Sequence, residues 1–187
     1  MSGTLYIFSG PSGVGKGTIL QNALPKLGNM WYSVSCTTRE PRPELDKEGV
    51  TYYFLTDAEF ESHIAAGDFL EYANVHGHYY GTRRDFVEKA LLAGTDVVLE
   101  IDVQGAFIVK EKMPQAVMVF VKPPSFEELV RRLSARRSDD ANAQKLRIKN
   151  AEKEIACADQ YDYIIVNDRL ENAVQKFIEI VQTHRKA

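Results

Sequence analysis

The apolar positions of this chain fall into short blocks cut off by glycine or proline. Between them lie stretches where apolar residues recur at helical spacing. Residues 5–8, LYIF, form one such block and stop at Gly10, Pro11 and Gly13, which reads as a buried strand and a turn. Ile19, Leu20, Ala23, Leu24 and Leu27 then follow helical periodicity, so a helix begins near Lys16, with Pro25 expected to kink or end it. Further strands are predicted at 32–35, 51–55, 69–75, 97–101, 116–121 and 163–166, the last fully buried. Thr56 with Glu59 and Ser125 with Glu128 are capping boxes that start helices, the first running to 66 and stopped by Gly67. Other helices are expected at 83–93, 103–112, about 143–158 and 170–184, while 36–49 and 138–142 read as a polar loop and turn. Strands near 5–9, 32–35, 97–101, 117–121 and 163–166, separated by helices, imply an α/β fold whose parallel sheet is covered on both faces. Two excursions leave that sheet, at 36–82 and 124–157; the second has few large apolar residues and is expected to pack weakly and move.

The strand, glycine loop and helix at the start carry the clearest chemistry. Gly10, Gly15 and Lys16 fit G-x-x-x-x-G-K within GPSGVGKGT, spanning Gly10, Pro11, Ser12, Gly13, Val14, Gly15, Lys16, Gly17 and Thr18. Glycines let backbone N–H groups curl around a phosphate, and the helix N-terminus adds unpaired amides and a positive dipole end. Lys16 adds a mobile positive charge for the outer phosphates. The position after the lysine ordinarily carries a Ser or Thr whose hydroxyl reaches Mg²⁺. Here it is Gly17, and the first hydroxyl is Thr18, so a metal is expected to be held mainly through phosphates and water, or by Thr18.

Composition narrows the function. With 187 residues and 44% apolar content, the chain builds one α/β core with small appended lobes. A net charge of −3 argues against nucleic acid as the main partner, so anion binding must be local. Cys36 and Cys157 form neither a disulfide framework nor a zinc pattern, which suits a reducing cytoplasm. There is no signal-peptide pattern and no run of about 18 apolar residues, so neither export nor a membrane span is expected.

Other residues stand where ligands bind. Arg39 and Arg42 leave the second strand close to the phosphate loop, where a second anion would meet a guanidinium fork. Glu100 and Asp102 close a buried strand at the end where α/β sheets bind ligands, although Asp102 also reads as a helix N-cap. Tyr53 and Tyr79 read as strand aromatics, and His76 and His78 as loop residues rather than a metal pair.

The stretches GPSGVGKGT, SVSCTTREPRP, FLEYANVHGHYYGT, VVLEIDVQGA, RRLSARRSDD and YDYIIVND together resemble guanylate kinase nearly end to end. That resemblance implies a P-loop kinase core with a five-stranded parallel sheet flanked by helices (1–35 and 83–187). It adds a small mixed α/β GMP-binding lobe (36–82) and a helical lid (124–157). It implies the reaction ATP + GMP → ADP + GDP with Mg²⁺. Carried over by position, Arg39, Arg42, Tyr52 and Tyr80 would hold the acceptor phosphate. Ser35, Glu71 and Thr82 would read guanine, with Glu100 and Asp102 on the base or ribose side. Arg136 and Arg147 would reach the transferring phosphoryl from the lid, and Asn167 would lie near adenine. A carboxylate at Glu71 suits guanine's adjacent N1–H and N2–H₂ donors and would face a bare acceptor on adenine.

The chain departs from the family pattern in three places. The acceptor loop PRPELDKEG lacks the family's usual Gly-Glu pair after PRP and is one residue longer, leaving Glu44, Asp46 and Glu48 as candidates for the missing acid. Glu100 stands where some relatives have Asp, and Gly17 replaces the usual hydroxyl residue. The competing reading is a non-catalytic guanylate-kinase-like module that binds phosphopeptides. Such modules sit within longer scaffolds, whereas a stand-alone kinase with Lys16 and the lid arginines is expected here. Oligomeric state is not legible.

Overall fold

A computed structural model describes residues 2–75, 77–134 and 141–185. In chain order the elements are β1 (Leu5–Ser9), α1 (Lys16–Leu27), β2 (Met30–Tyr32), β3 (Cys36–Thr37), β4 (Tyr53–Phe54), α2 (Asp57–Ala66), β5 (Phe69–Val75), β6 (His78–Arg83) and α3 (Arg84–Leu92). They continue with β7 (Asp96–Glu100), α4 (Val103–Lys112), β8 (Val117–Lys122), α5 (Phe126–Ser134), α6 (Ala141–Ile155), β9 (Tyr163–Val166) and α7 (Leu170–Arg185).

β1 sits in the middle of a five-stranded sheet ordered β2-β7-β1-β8-β9, with every pairing parallel. All five of its residues are buried because both faces are covered. Alternation divides them: Tyr6 and Phe8 pack with Ile19, Leu20, Phe177 and Val181 of α1 and α7, while Leu5 and Ile7 pack with Val87, Val103 and Val109 of α3 and α4. The chain builds to one side of β1 first and crosses to the other for β8 and β9. That reversal leaves a crevice over the carboxyl end of β1, where the glycine loop emerges.

A second, mixed sheet ordered β4-β3-β6-β5 lies beyond β2 in the chain. Its core is Phe60 of α2, stacked on Phe69 at 4.3 Å and on Tyr79 at 5.1 Å between ring centroids. The capping box at Thr56 and Glu59 forms as expected, and Gly67 closes α2 in a left-handed conformation with φ 73°. No helix among the described residues is long and apolar enough to cross a membrane.

Several expectations shift. The strand predicted at 32–35 is Met30–Tyr32; Ser33 makes one more bond to the Val98 carbonyl, and the chain then leaves to enter the second sheet at Cys36. Pro25 lies inside α1, which runs two residues further to Leu27; so close to the end, few backbone bonds remain for it to disrupt. The strand predicted at 51–55 shortens to β4, and GHYYGT, given no element from sequence, belongs to β6. β9 is an edge strand: Ile165 is buried, whereas Ile164 and Val166 are exposed. The helix predicted at about 143–158 runs from Ala141 to Ile155. The weak packing expected of the α5–α6 excursion is also corrected, because Leu129, Leu133 and Ala151 are buried in the main core and Ile148 and Ile155 pack against it. Arg136 and His76 lie outside the described residues.

Candidate active site

The glycine loop is shaped by its backbone. Gly10, Gly13 and Gly15 all have positive φ, and Gly15 caps α1 without any side-chain hydrogen bond, so the first-turn amides of α1 have no capping side chain. A Cβ on Gly10 would come 2.4 Å from the Val121 carbonyl oxygen, and one on Gly15 would come 2.6 Å from Asn167 Nδ2. Only glycine lets the loop press against β8 and the chain after β9. Lys16 folds back along the loop, donating from Nζ to the Gly10 carbonyl at 2.6 Å and the Pro11 carbonyl at 3.3 Å. Such a lysine is poised over the concave side of the loop, where an anion would sit.

Asn167 is buried and donates from Nδ2 to the Val14 carbonyl at 2.8 Å. Arg132 joins it, reaching the Val14 and Asn167 carbonyls at 3.5 and 3.2 Å while its Nε is held by Glu128 at 2.8 Å. Sequence reasoning gave Asn167 an adenine-side place and gave Arg132 no role beyond a charged helix face. The four-residue spacing of Glu128 and Arg132 was the available signal, since it is the spacing of a helical ion pair.

A cavity of about 460 Å³ joins the glycine loop, at Gly10, Ser12 and Lys16, to four of the residues expected to take the acceptor, Ser35, Tyr52, Glu100 and Asp102; Arg39, Arg42, Glu71, Tyr80 and Thr82 are not in its lining. The Tyr52 and Tyr80 rings meet edge to face at 5.8 Å, and the Arg39 guanidinium lies 5.4 Å from the Tyr52 ring centre. Asp46 ties the two arginines together, accepting from Arg39 at 2.9 Å and from Arg42 Nε at 3.1 Å and its backbone amide at 2.7 Å. Those hydrogen bonds, those of Arg42 foremost, hold the Asp46 carboxyl well below the usual carboxylate range. Of the three acids left open by sequence, Asp46 is the one on both arginines. Glu48 instead accepts from the Phe54 amide, and Glu44 sits at a left-handed turn position.

At the other end of the second sheet, Glu71 of β5 faces Thr82 of β6 in the ladder, and the Thr82 hydroxyl donates to Glu71 Oε1 at 2.6 Å. Glu71 is 8% exposed. Burial pushes its carboxyl up to about 7; the Asp102 charge adds to this, while the Thr82 hydrogen bond and Lys112 oppose it. One carboxylate oxygen thus has a fixed partner.

Glu100 and Asp102 separate in role. Glu100 accepts from the Tyr32 hydroxyl at 3.2 Å and lies against Gly17, whose missing Cβ would be 3.5 Å from it. Asp102 is the N-cap of α4, bonded to the Gly105 amide at 2.7 Å. Thr18 stands in the first turn of α1 and Arg147 on α6. The described residues hold no cluster of three or more His, Cys, Asp or Glu able to bind a metal. A metal held mainly by phosphate oxygens and water needs no such cluster of its own. A further cavity of about 520 Å³, lined by Thr4, Leu91 and Met113 among others, opens at the amino end of the strands, away from this chemistry.

The sequence model described as guanylate kinase matches residues 2–184. The chain belongs to the guanylate kinase family. It is 45% identical over 185 residues to the guanylate kinase of Thermotoga maritima, covering 99% of this chain and 89% of that protein. It is 50% identical over 179 residues to that of Clostridium acetobutylicum, covering 96% and 85%. Among solved structures, the guanylate kinase of Anaplasma phagocytophilum superposes with a TM-score of 0.78 at 35% identity, covering 98% of this chain and 86% of that one. As in the guanylate kinase family generally, the expected ligands are ATP and GMP, usually with Mg²⁺.

Proposed function

We propose that this chain transfers the γ-phosphoryl group of ATP to GMP, and to dGMP, giving ADP and the nucleoside diphosphate. The observation that carries this reading is the buried Glu71–Thr82 pair on the small second sheet, whose β3–β4 connection carries the Arg39–Asp46–Arg42 cluster. Guanine's N1–H and N2–H₂ would be accepted by Glu71, with Thr82 fixing the carboxylate and Ser35 beside it. The GMP phosphate would lie between Arg39, Arg42, Tyr52 and Tyr80, with Asp46 aiming the guanidinium groups. The triphosphate would rest on the backbone amides of residues 12–18 and on Lys16, with Asn167 and Arg132 backing the loop. On this reading 1–35 and 83–187 form the core, 36–82 the acceptor lobe and 124–157 a lid that brings Arg147 and Arg136 to the transferring group.

In the step itself, a GMP phosphate oxygen attacks the γ-phosphorus in line, and the bond to the bridging oxygen of ADP breaks. The attacking oxygen is already anionic, so no strong base is needed. The task is to hold two polyanions together, and Lys16, Arg39, Arg42 and Arg147 supply the opposing charge from three segments. Bound magnesium would add charge neutralisation on the phosphate oxygens. Both cysteines are free thiols, which suits a cytoplasmic enzyme, and the acidic net charge offers no footprint for nucleic acid. The phosphopeptide-module alternative has no support from the relatives above, each named a guanylate kinase.

The test is a coupled ADP assay with GMP, dGMP, AMP and UMP as acceptors. Turnover with the two guanine nucleotides and little with the others supports the reading. No ADP with GMP would refute it.

A further inference from the structure

Gly105 stands in the first turn of α4, yet its backbone does not call for glycine. Its φ is not among the positive ones, and glycine is a poor helix former. Its surroundings supply the reason. A Cβ there would lie 3.2 Å from Glu71 Oε2 and 3.3 Å from Asp102 Oδ1, both tighter than ordinary van der Waals contact. Glu71 therefore rests its carboxylate directly on the first turn of α4, in space that any other side chain would fill. The Gly105 amide is already committed to Asp102 Oδ1 at 2.7 Å, so the helix receives Glu71 by shape and not through that donor. Two turns further along α4, Lys112 donates from Nζ to the Leu70 carbonyl at 2.6 Å and the Phe69 carbonyl at 3.3 Å. Those carbonyls belong to the two residues that precede Glu71 on β5. Leu70 is itself buried, in one cluster with Val103, Ala106 and Val109 of α4.

We propose that α4 is the positioning element for the guanine-reading carboxylate: Gly105 leaves the space in which Glu71 sits, and Lys112 ties down the strand that carries it. The carboxylate is thereby fixed from three sides. Thr82 holds Oε1 at 2.6 Å, Lys112 keeps β5 from backing away, and the open space at Gly105 sets how deep Oε2 lies. A methyl group at position 105 would push Oε2 outwards by a few tenths of an ångström. With the strand pinned, the side chain takes up that shift. It does so by turning the carboxylate edge away from guanine or by stretching the Thr82 bond. The triphosphate meets neither residue, so the loss falls on the acceptor alone.

This inference rests on the phosphoryl-transfer reading, because it assumes that Glu71 meets guanine. The test measures GMP and ATP binding by calorimetry, and kcat and KM with GMP, for the wild type, Gly105→Ala and Lys112→Met, each alone and combined with Glu71→Gln. Spoiling one hydrogen bond to a charged group predicts GMP binding about tenfold weaker in Gly105→Ala, with ATP binding unchanged. Lys112→Met puts no atom beside Glu71 and should show a smaller loss of the same kind, so it decides the matter if Gly105→Ala does not fold. Where Glu71→Gln is already present, neither change should cost GMP further, because both act through that carboxylate. GMP binding equal to the wild type in the folded variants, equal losses for GMP and ATP, or full additivity with Glu71→Gln would overturn the inference and leave the phosphoryl-transfer reading standing. A wild type that binds ATP but not GMP would overturn both.

Discussion

Replacing Glu71 by Gln alters one atom of a buried side chain and is the sharpest probe of base recognition. The Thr82 hydroxyl already occupies Oε1 at 2.6 Å, so the pair presents guanine with a fixed carboxylate edge. Gln keeps one acceptor and turns the other into an NH₂ donor, which would face a guanine N–H donor to donor. A buried unmet donor costs about 1–3 kcal/mol, and two opposed donors cost about 3 kcal/mol, or about 150-fold in kcat/KM for GMP. The amide's donor and acceptor suit the N1 and N6 edge of adenine, so AMP should improve as GMP declines. The coupled ADP assay reads both. A variant within about threefold of the wild type for GMP, with unchanged discrimination against AMP, would refute base reading by Glu71.

The same carboxyl makes the argument pH-dependent. Burial, chiefly, lifts it from 4.5 to about 7 in the ligand-free protein. Guanine binds the ionised form, so affinity should fall as pH drops below about 7, approaching tenfold per unit. Guanosine is the better probe, because the phosphate of GMP itself titrates near pH 6; the Gln variant should show no such slope. For folding the sign is opposite. An acid whose folded value exceeds its unfolded value loses stability as pH rises between the two, here by about 3 kcal/mol from pH 4.5 to 7. Ligand-free Glu71→Gln should therefore melt above the wild type at pH 8, with the gap closing towards pH 4.5.

Other substitutions separate charge from scaffold. Lys16→Ala should cut ADP formation by about a thousandfold while shifting Tm little, as circular dichroism melts would verify. Asp46→Asn keeps the shape but removes the charge shared by Arg39 and Arg42, and should raise the KM for GMP several-fold with a smaller change in that for ATP. Phe60→Ala removes the ring between Phe69 and Tyr79 and should destabilise by about 3–5 kcal/mol in urea titration.

The parallel core was legible because its strands are continuous apolar runs with glycine or proline at their ends, and burial on both faces demands that composition. β6 was not, because His78, Tyr79, Tyr80, Gly81 and Thr82 owe their strand form to pairing with β5 and β3 rather than to any pattern of their own. β9 read as fully buried because Tyr163–Val166 is wholly apolar, yet it pairs on one side only and exposes two of its residues. In the site, the loop glycines and Lys16 were readable from spacing, whereas the candidate residues for base and acceptor phosphate came through family resemblance. Asp46 could not be chosen over Glu44 and Glu48, since three acids within five residues differ only in where the loop turns them.

A crystal structure with GMP bound tests the central claim most directly. The account predicts the guanine edge within hydrogen-bond distance of Glu71 and Thr82, and the phosphate between Arg39 and Arg42 with Tyr52 and Tyr80 beside it. GMP seated with its base away from Glu71, or its phosphate on the glycine loop, would contradict it.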